Sequence, residues 1–120
     1  MPIQLKRAYD PVEESDGLRV LVDRLWPRGV SKEQMHLDHW PKELTPSTEL
    51  RKWFDHDPEK FSEFRVRYIK ELGKVKETAQ KLAQKASDQQ VTLIYAAKDP
   101  KCNHALVLKE FLQELTDNNA

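Results

Sequence analysis

Three strand-like runs, at residues 3–7, 18–22 and 91–96, most tightly constrain what this chain can fold into. The first alternates apolar and polar residues, which predicts a strand with one buried face. The second and third are largely apolar, which is typical of strands covered on both faces, and we expect the second to be central in its sheet. Each run is followed by a loop that carries charge, Gly or Pro, so three short β-strands are predicted.

Helical segments separate the second strand from the third and also follow the third. Apolar residues recur at spacings of three and four over 61–72 and 75–83, with a break predicted at Gly73. Four local signals predict helix starts: the Ser31–Gln34 capping box, Pro46 at a first helical position, Asp57 before Pro58, and Asn103 as an N-cap. Strands alternating with helices predict an α/β fold, with a small, mainly parallel β-sheet covered by α-helices in a single domain over residues 1–120.

The link between the first two strands leaves one feature of this sheet open. Residues 8–17 are too few for an ordinary crossover helix, so the direction of the first strand is not predicted. At the other end of the chain, the polar residues 117–120 are expected to fray.

Composition argues against several classes of function. The 20 basic and 20 acidic residues give a net charge of zero, so nucleic acid has no support from net charge, although a local basic patch is compatible with it. The single cysteine, Cys102, rules out an internal disulfide and fits a reducing compartment. No apolar run approaches the length of a membrane span and no leader is recognisable, so we expect a soluble cytoplasmic protein with no membrane partner.

Arginine is unevenly distributed along the chain. All seven arginines lie between Arg7 and Arg67, and the rest of the chain uses only lysine. The planar fork of arginine matches carboxylate and phosphate oxygens. The distribution reflects either ordinary variation in surface composition or an anion site supplied mainly by the first half. There is no Gly-rich phosphate loop, nucleophile elbow or paired-cysteine zinc spacing, and His36 and His39 lack further ligands, so neither a cofactor nor a metal site is predicted.

The loop after the second strand carries the densest group of candidate site residues: Asp23, Arg24, Trp26, Arg28 and Gly29. A carboxylate beside two guanidiniums is expected to stay ionised and to hold both forks in place. Gly29 would let backbone amides approach a ligand closely, and the helix start at Ser31 favours an anion. The alternative is an Asp–Arg pair that closes the strand, with the indole in the core.

Two further groups reach the same edge of the sheet if its strands are parallel, because open α/β sheets bind ligands beyond the carboxyl ends of their strands. One group follows the third strand and consists of Lys98, Asp99, Asn103 and His104. Its histidine is a candidate acid or base, or else is incidental beside a capping Asn. The other group contributes Arg51. Its neighbours have simpler explanations: His56–Pro58 ends one helix and starts the next, and Tyr68 belongs to the core.

Three blocks of the chain together resemble a known family. They are Val20–Gly29, then Pro46–Phe54 with His56–Pro58, and finally Thr92–Asp99 with Asn103–Ala105. These blocks are similar to the DUF488 family, in its YeaO-like branch, and the resemblance extends over nearly the whole chain. It implies a small bacterial α/β protein and implies no particular activity.

The resemblance also exposes two departures from the broader family. That family often carries a Cys-His-Arg triplet where this chain has Asn103, His104 and Ala105, so the aligned thiol and arginine are missing. Cys102 is one position away, and a nucleophilic role is not transferred to it. The broader family also has a helix between its first two strands, which residues 8–17 cannot supply.

Three hypotheses for function follow. In the first, the protein is an enzyme acting on a small phosphate- or carboxylate-containing compound. Its catalytic candidates are Asp23, Asp99 and His104, and its anion-binding candidates are Arg24, Trp26, Arg28, Gly29, Arg51, Lys98 and Asn103. In the second, it is a binding module for a nucleotide, nucleic acid or protein, with Trp26 and Trp53 as stacking surfaces. In the third, it is a scaffold whose arginines and acids pair with each other. The oligomeric state is not predicted.

Overall fold

A computed structural model describes residues 3–99 and 101–118 and shows in them a three-stranded sheet with five helices. The strands are β1 (Ile3–Arg7), β2 (Leu18–Leu21) and β3 (Val91–Tyr95). The helices are α1 (Lys32–Met35), α2 (Thr48–Phe54), α3 (Phe61–Lys74), α4 (Lys76–Asp88) and α5 (His104–Asn118). The α/β class predicted from the sequence is confirmed.

All three strands are parallel, in the order β1-β3-β2, which settles the direction of β1. Residues 8–17 link the two outer strands across β3 with a single 3-10 turn, and Thr92 donates a hydrogen bond to the Asp16 carbonyl at 2.7 Å. Gly17 ends the link with a φ of 63°, and a Cβ there would lie 2.3 Å from the Gln90 carbonyl oxygen. A glycine in close contact with β3 therefore permits this short crossover without a helix.

The position of β2 in the sheet differs from the prediction. β3 is the central strand, and β2 lies beside it at an edge. Residues 38–39 run along the outer edge of β2: the Leu21 amide donates to the His39 carbonyl at 3.0 Å, and the His39 amide donates to the Arg19 carbonyl at 3.2 Å. The predicted burial of β2 is correct, but this short segment, rather than a neighbouring strand, covers its outer edge.

The two faces of the sheet pack against different layers, because successive strand residues point to opposite sides. Val20 and Leu93 belong to the main core, which includes Phe64, Tyr68 and Leu112 from the long helices. Leu21 and Ile94 belong to a second, smaller cluster of buried residues on the other face, with Ala8 and Met35, against which Trp26 and Trp40 pack. Within the described chain, no helix has both the length and the apolar character needed to cross a membrane.

Local signals predicted most helix starts correctly. Ser31, Asp57 and Asn103 each cap a helical segment through a side-chain oxygen, as expected. Pro46 does not begin a helix, because Ser47 is the N-cap of α2.

Two predicted features near helix ends also differ from the structure. The first long helix runs through Gly73, and the break falls one residue after Lys74, at Val75. The final helix includes residues 117–118, which were expected to fray, whereas 119–120 lie outside the described residues.

A buried ion network fastens the 8–17 link to the sheet. The Asp16 carboxylate is 1% exposed and accepts hydrogen bonds from Lys6 Nζ at 2.9 Å and from Arg19 Nη1 at 2.5 Å. Burial by itself raises the pKa of Asp16, but the bonds from Lys6, the Glu13 amide and Arg19 hold this pKa below its ordinary value of 3.8. Burial lowers the pKa of Lys6, but its bonds to Asp16 and Glu13 raise it above the ordinary 10.5.

Candidate functional site

A cleft of about 870 Å³ opens beyond the carboxyl ends of β2 and β3, beside the start of α5. Its lining includes five basic side chains, namely Arg24, Arg28, Arg51, Lys52 and Lys98. Three carboxylates also line it, from Asp23, Asp55 and Asp99. Because the strands are parallel, the loops that follow them meet at this one edge, which is the usual ligand position in open α/β sheets.

The cleft brings together nine of the ten residues singled out from the sequence: Asp23, Arg24, Trp26, Arg28, Arg51, Lys98, Asp99, Asn103 and His104. Gly29 is the exception. It is absent from the lining, its φ of 80° serves the turn after Arg28, and no protein atom outside its chain neighbours lies within 4 Å of where a Cβ would stand. The start of the four-residue α1 does not line the cleft either.

Asp23 connects three segments at the floor of the cleft. Its Oδ2 accepts a hydrogen bond from the Ala96 amide at 3.0 Å, and its Oδ1 lies 2.8 Å from Nε2 of His104. That nitrogen also lies 3.0 Å from the Val22 carbonyl oxygen. Both neighbours of Nε2 are acceptors, so Nε2 carries a proton. Although it lies this close to Nε2, the buried Oδ1 has no hydrogen-bond partner within the described chain.

This arrangement differs from the expectation that Asp23 holds the neighbouring arginine forks. Among the described residues, the side chain in contact with the Asp23 carboxylate is that of His104, and neither Arg24 nor Arg28 lies within ion-pairing distance of it. Arg24 instead donates from Nε to the Pro46 carbonyl at 3.3 Å, which leaves its terminal nitrogens without a protein acceptor in the same residues. The Asp23 carboxylate therefore contacts the floor of the cleft, and the guanidinium groups of Arg24 and Arg28 are not paired with it.

Asn103 holds the start of α5 in place. Its Oδ1 accepts from the Leu106 amide at 2.9 Å, and its Nδ2 donates to the Asp99 carbonyl at 2.8 Å. The Asp99 carboxylate in turn accepts from the amides of Lys101, at 2.8 Å, and Cys102, at 3.2 Å. Asp99 and Asn103 therefore fix the shape of this loop. Each polar atom of the Asn103 amide, Oδ1 and Nδ2, has a hydrogen-bond partner.

The seven arginines divide into two groups according to their partners. Four of them lie outside the cleft and are engaged: Arg7 with the carbonyls of residues 96 and 97, Arg19 with Asp16, Arg65 with Glu110 and Arg67 with Glu63. The other three, Arg24, Arg28 and Arg51, line the cleft, and none has a carboxylate partner within the part of the chain that the structure describes. Unpaired guanidinium groups are therefore concentrated at one place.

The tryptophans do not form the exposed stacking surface considered above. Trp26 is half-buried in the smaller apolar cluster, its ring 5.5 Å from that of Trp40, and its indole N–H donates to the Val30 carbonyl at 2.6 Å. Trp53 does not line the cleft, and its ring is covered by the guanidinium of Arg67 at 4.3 Å. Trp26 thus borders the cleft while serving mainly as a core residue.

Several lining residues were not assigned to the site from the sequence, among them Tyr9, Leu25, Lys52, Asp55 and His56. The last two have left-handed backbones, with φ of 46° and 56°, which is uncommon for residues with a side chain. The sequence favoured a helix end over a site for His56, and in the structure it follows Asp55, the C-cap of α2. Tyr9 follows β1 in a loop without any local signal of function, and only the fold brings it to this edge.

Other parts of the described structure offer weaker sites. A cavity of about 270 Å³ lies between residues 39–44 and α4, away from the carboxyl ends of the strands, and is lined by His39, Trp40, Lys81 and Lys85 among others. Nowhere in residues 3–99 and 101–118 do three His, Cys, Asp or Glu side chains group as metal ligands.

Comparison with known proteins places this chain in a family. A model described as the inactive DUF488-N3 subclade matches residues 2–120. The chain belongs to the DUF488 family. This DUF488 protein is 51% identical over 115 residues to the uncharacterized protein YeaO of Escherichia coli, covering 96% of this chain and 100% of YeaO.

A more distant relative comes from a different bacterial group. The DUF488 protein is 38% identical over 110 residues to the uncharacterized protein Rv3073c of Mycobacterium tuberculosis, and the match covers 92% of each chain. No solved structure matches the chain. The resemblance to the YeaO-like branch is therefore confirmed, and the relatives' names carry no activity.

Proposed function

We propose that this DUF488 protein binds a small phosphate- or carboxylate-containing compound in the cleft without transforming it. The observation that carries the proposal is the division of the arginines. Four of the seven lack a carboxylate partner among the described residues, and three of these, Arg24, Arg28 and Arg51, line the same cleft. The fourth, Arg7, donates to two backbone carbonyls instead. Planar guanidinium forks match the oxygen geometry of phosphate and carboxylate groups.

Further features of the cleft support an anionic ligand. Lys52 and Lys98 add two more cations, so basic side chains outnumber the three carboxylates of the lining. The start of α5, a helix of 15 residues, borders the cleft at Asn103 and His104, and the positive end of a helix dipole favours negative charge. The volume lies within the range of about 300–1,000 Å³ that is common for small-molecule sites.

The part of the proposal that excludes catalysis is based on the residues at positions 103–105 and on the description of the family. The position of the broader family's aligned cysteine is held by Asn103, whose Oδ1 caps α5 and whose Nδ2 donates to the Asp99 carbonyl. The proton-bearing Nε2 of His104 faces Asp23 and Val22. The subclade to which the chain belongs is described as inactive. These observations favour binding over the acid–base chemistry that Asp23, Asp99 and His104 would otherwise suggest.

The proposal predicts that anionic metabolites raise the melting temperature of the wild-type protein. A ligand at about 100 times its Kd stabilises the fold by about 2.7 kcal/mol, which is a shift of several degrees for a domain of this size. Arg28→Ala should weaken binding by about tenfold or more, since hydrogen bonds to charged groups contribute about 1.5–3 kcal/mol. Its unliganded melting temperature should stay near that of the wild type, because Arg28 is exposed.

Arg67→Ala is the matched control, because Arg67 is also exposed but pairs with Glu63 outside the cleft. Its ligand-induced shifts should equal those of the wild type. Equal losses in both variants, or no shift with any phosphate or carboxylate compound, would contradict anion binding in the cleft. Recovered ligand should be chemically unchanged. Conversion that disappears in Asp23→Asn would instead identify an enzyme.

A further inference from the structure

Tyr9 is exposed and yet held firmly at the rim of the cleft. Half of its surface is accessible, but its hydroxyl donates to the Arg28 carbonyl at 3.1 Å. The guanidinium carbon of Arg7 lies 4.9 Å from the centroid of its ring. Arg7 is itself anchored, since it donates to the carbonyls of Ala96 and Ala97 just beyond β3. The ring is therefore held at its hydroxyl and on one face.

Leu25 brings a second exposed apolar side chain to the lining of the same cleft. It is 66% exposed, the largest value among the large hydrophobic residues that are exposed in the described chain. Four such residues are present there, and two of them, Tyr9 and Leu25, line the cleft, whereas Val12 and Val66 do not. Apolar side chains beside a group of unpaired cations provide contacts for a ligand that has both an anionic and an apolar part.

We infer that Tyr9 and Leu25 form a subsite for a planar aromatic ring, so that the ligand of the cleft is an aromatic ring joined to a phosphate or carboxylate group. This inference rests on the anion-binding function proposed above and specifies the class of ligand. The open face of Tyr9 stacks on the ring, while Leu25 covers apolar surface of the same ligand. The cationic residues of the lining take the charged end.

The physical reasons for a ring, rather than an alkyl chain or a sugar, lie in the fixed geometry of Tyr9. Its hydroxyl proton is already donated to the Arg28 carbonyl, so Tyr9 offers an anionic group no hydrogen-bond donor and presents chiefly its π-face to a ligand. An aromatic side chain that is positioned in advance loses little conformational entropy when a planar partner stacks on it. Stacking of a nucleic-acid base on an aromatic residue typically raises affinity by about 5- to 150-fold. The guanidinium of Arg7 lies over the Tyr9 ring and helps to hold the ring in position for a partner.

The experiment compares AMP with ribose 5-phosphate by titration calorimetry on the full chain. The two differ at C1 of the ribose, where AMP carries the planar adenine ring and ribose 5-phosphate a hydroxyl group. Both carry the same sugar and phosphate. We expect AMP to bind about tenfold more tightly, at the lower end of the stacking range. Tyr9→Ala should remove most of this difference and leave the affinity for ribose 5-phosphate nearly unchanged. Leu25→Ser should reduce the difference without abolishing it.

Tyr9→Phe is the control for folding and for the hydroxyl. It retains the ring and loses only the bond to the Arg28 carbonyl, so the preference for AMP should persist. Equal affinity of the wild type for AMP and ribose 5-phosphate would overturn the ring subsite while leaving anion binding intact. A preference for AMP that survives Tyr9→Ala would also overturn it. Binding of neither compound, nor of any other phosphate or carboxylate, would overturn the proposed function together with this inference.

Discussion

Asp16 shows how much of the fold depends on a single buried charge. It accepts hydrogen bonds from Lys6 on β1 and Arg19 on β2, and its backbone carbonyl accepts one from Thr92 on β3, so one residue contacts all three strands. We predict that Asp16→Asn destabilises the protein by about 3 kcal/mol or more, because it leaves the buried Arg19 without its counter-charge and removes one of the two carboxylates that pair with Lys6. Urea unfolding at neutral pH measures this difference.

The same residue determines how stability responds to acid. The pKa of Asp16 is lower in the folded than in the unfolded chain, so its ionised form favours the folded state. This contribution is fully present above the unfolded value of about 3.8 and is lost as the pH falls through the folded pKa. The unfolding free energies of wild type and Asp16→Asn should therefore converge as the pH falls below 4. A constant difference down to pH 2 would contradict this role.

At the scale of elements, Asn103 both lines the cleft and caps the start of α5. Asn103→Cys would introduce the thiol found at this position in the broader family, but cysteine cannot reproduce the bonds of Asn103 to the Leu106 amide and the Asp99 carbonyl. We predict a loss of about 1–2 kcal/mol in stability and no new catalytic activity. Asn103→Asp, which keeps the capping oxygen, is the control and should be the more stable variant. Thiol-dependent turnover by Asn103→Cys would show that the catalytic machinery is otherwise intact.

The elements also show which parts of the structure the sequence could predict. The bounds of β1 were predicted because the alternation of Ile3–Arg7 is a local pattern, and Ser31 was recognised because a capping box spans only four residues. The edge position of β2 could not be predicted, since it depends on where residues 38–39 lie in space. The same division between local patterns and long-range contacts applies to the candidate site. Loops after parallel strands converge by topology, whereas the contact between Asp23 and His104 joins residues 81 positions apart.

At the scale of the whole molecule, one small sheet serves two apolar layers. Leu21 and Val22 are neighbours on the chain but belong to different clusters, as do Leu93 and Ile94. We predict that both layers unfold in one transition. Each layer packs against one face of the same three strands, so loss of the sheet would disrupt both layers together. Tryptophan fluorescence, to which Trp26 and Trp40 in the smaller layer contribute, should follow the same urea curve as far-ultraviolet circular dichroism. An earlier fluorescence transition would indicate that the smaller layer melts separately.

The contacts of Asp23 with Ala96 and His104 have a consequence for the rate at which the proposed ligand would bind. They fasten the end of β2 to Ala96 and to the first turn of α5, so the floor of the cleft is assembled before any ligand arrives. Association then requires no slow rearrangement, and related ligands should enter at similar rates. Selectivity among them would lie in how long each one stays.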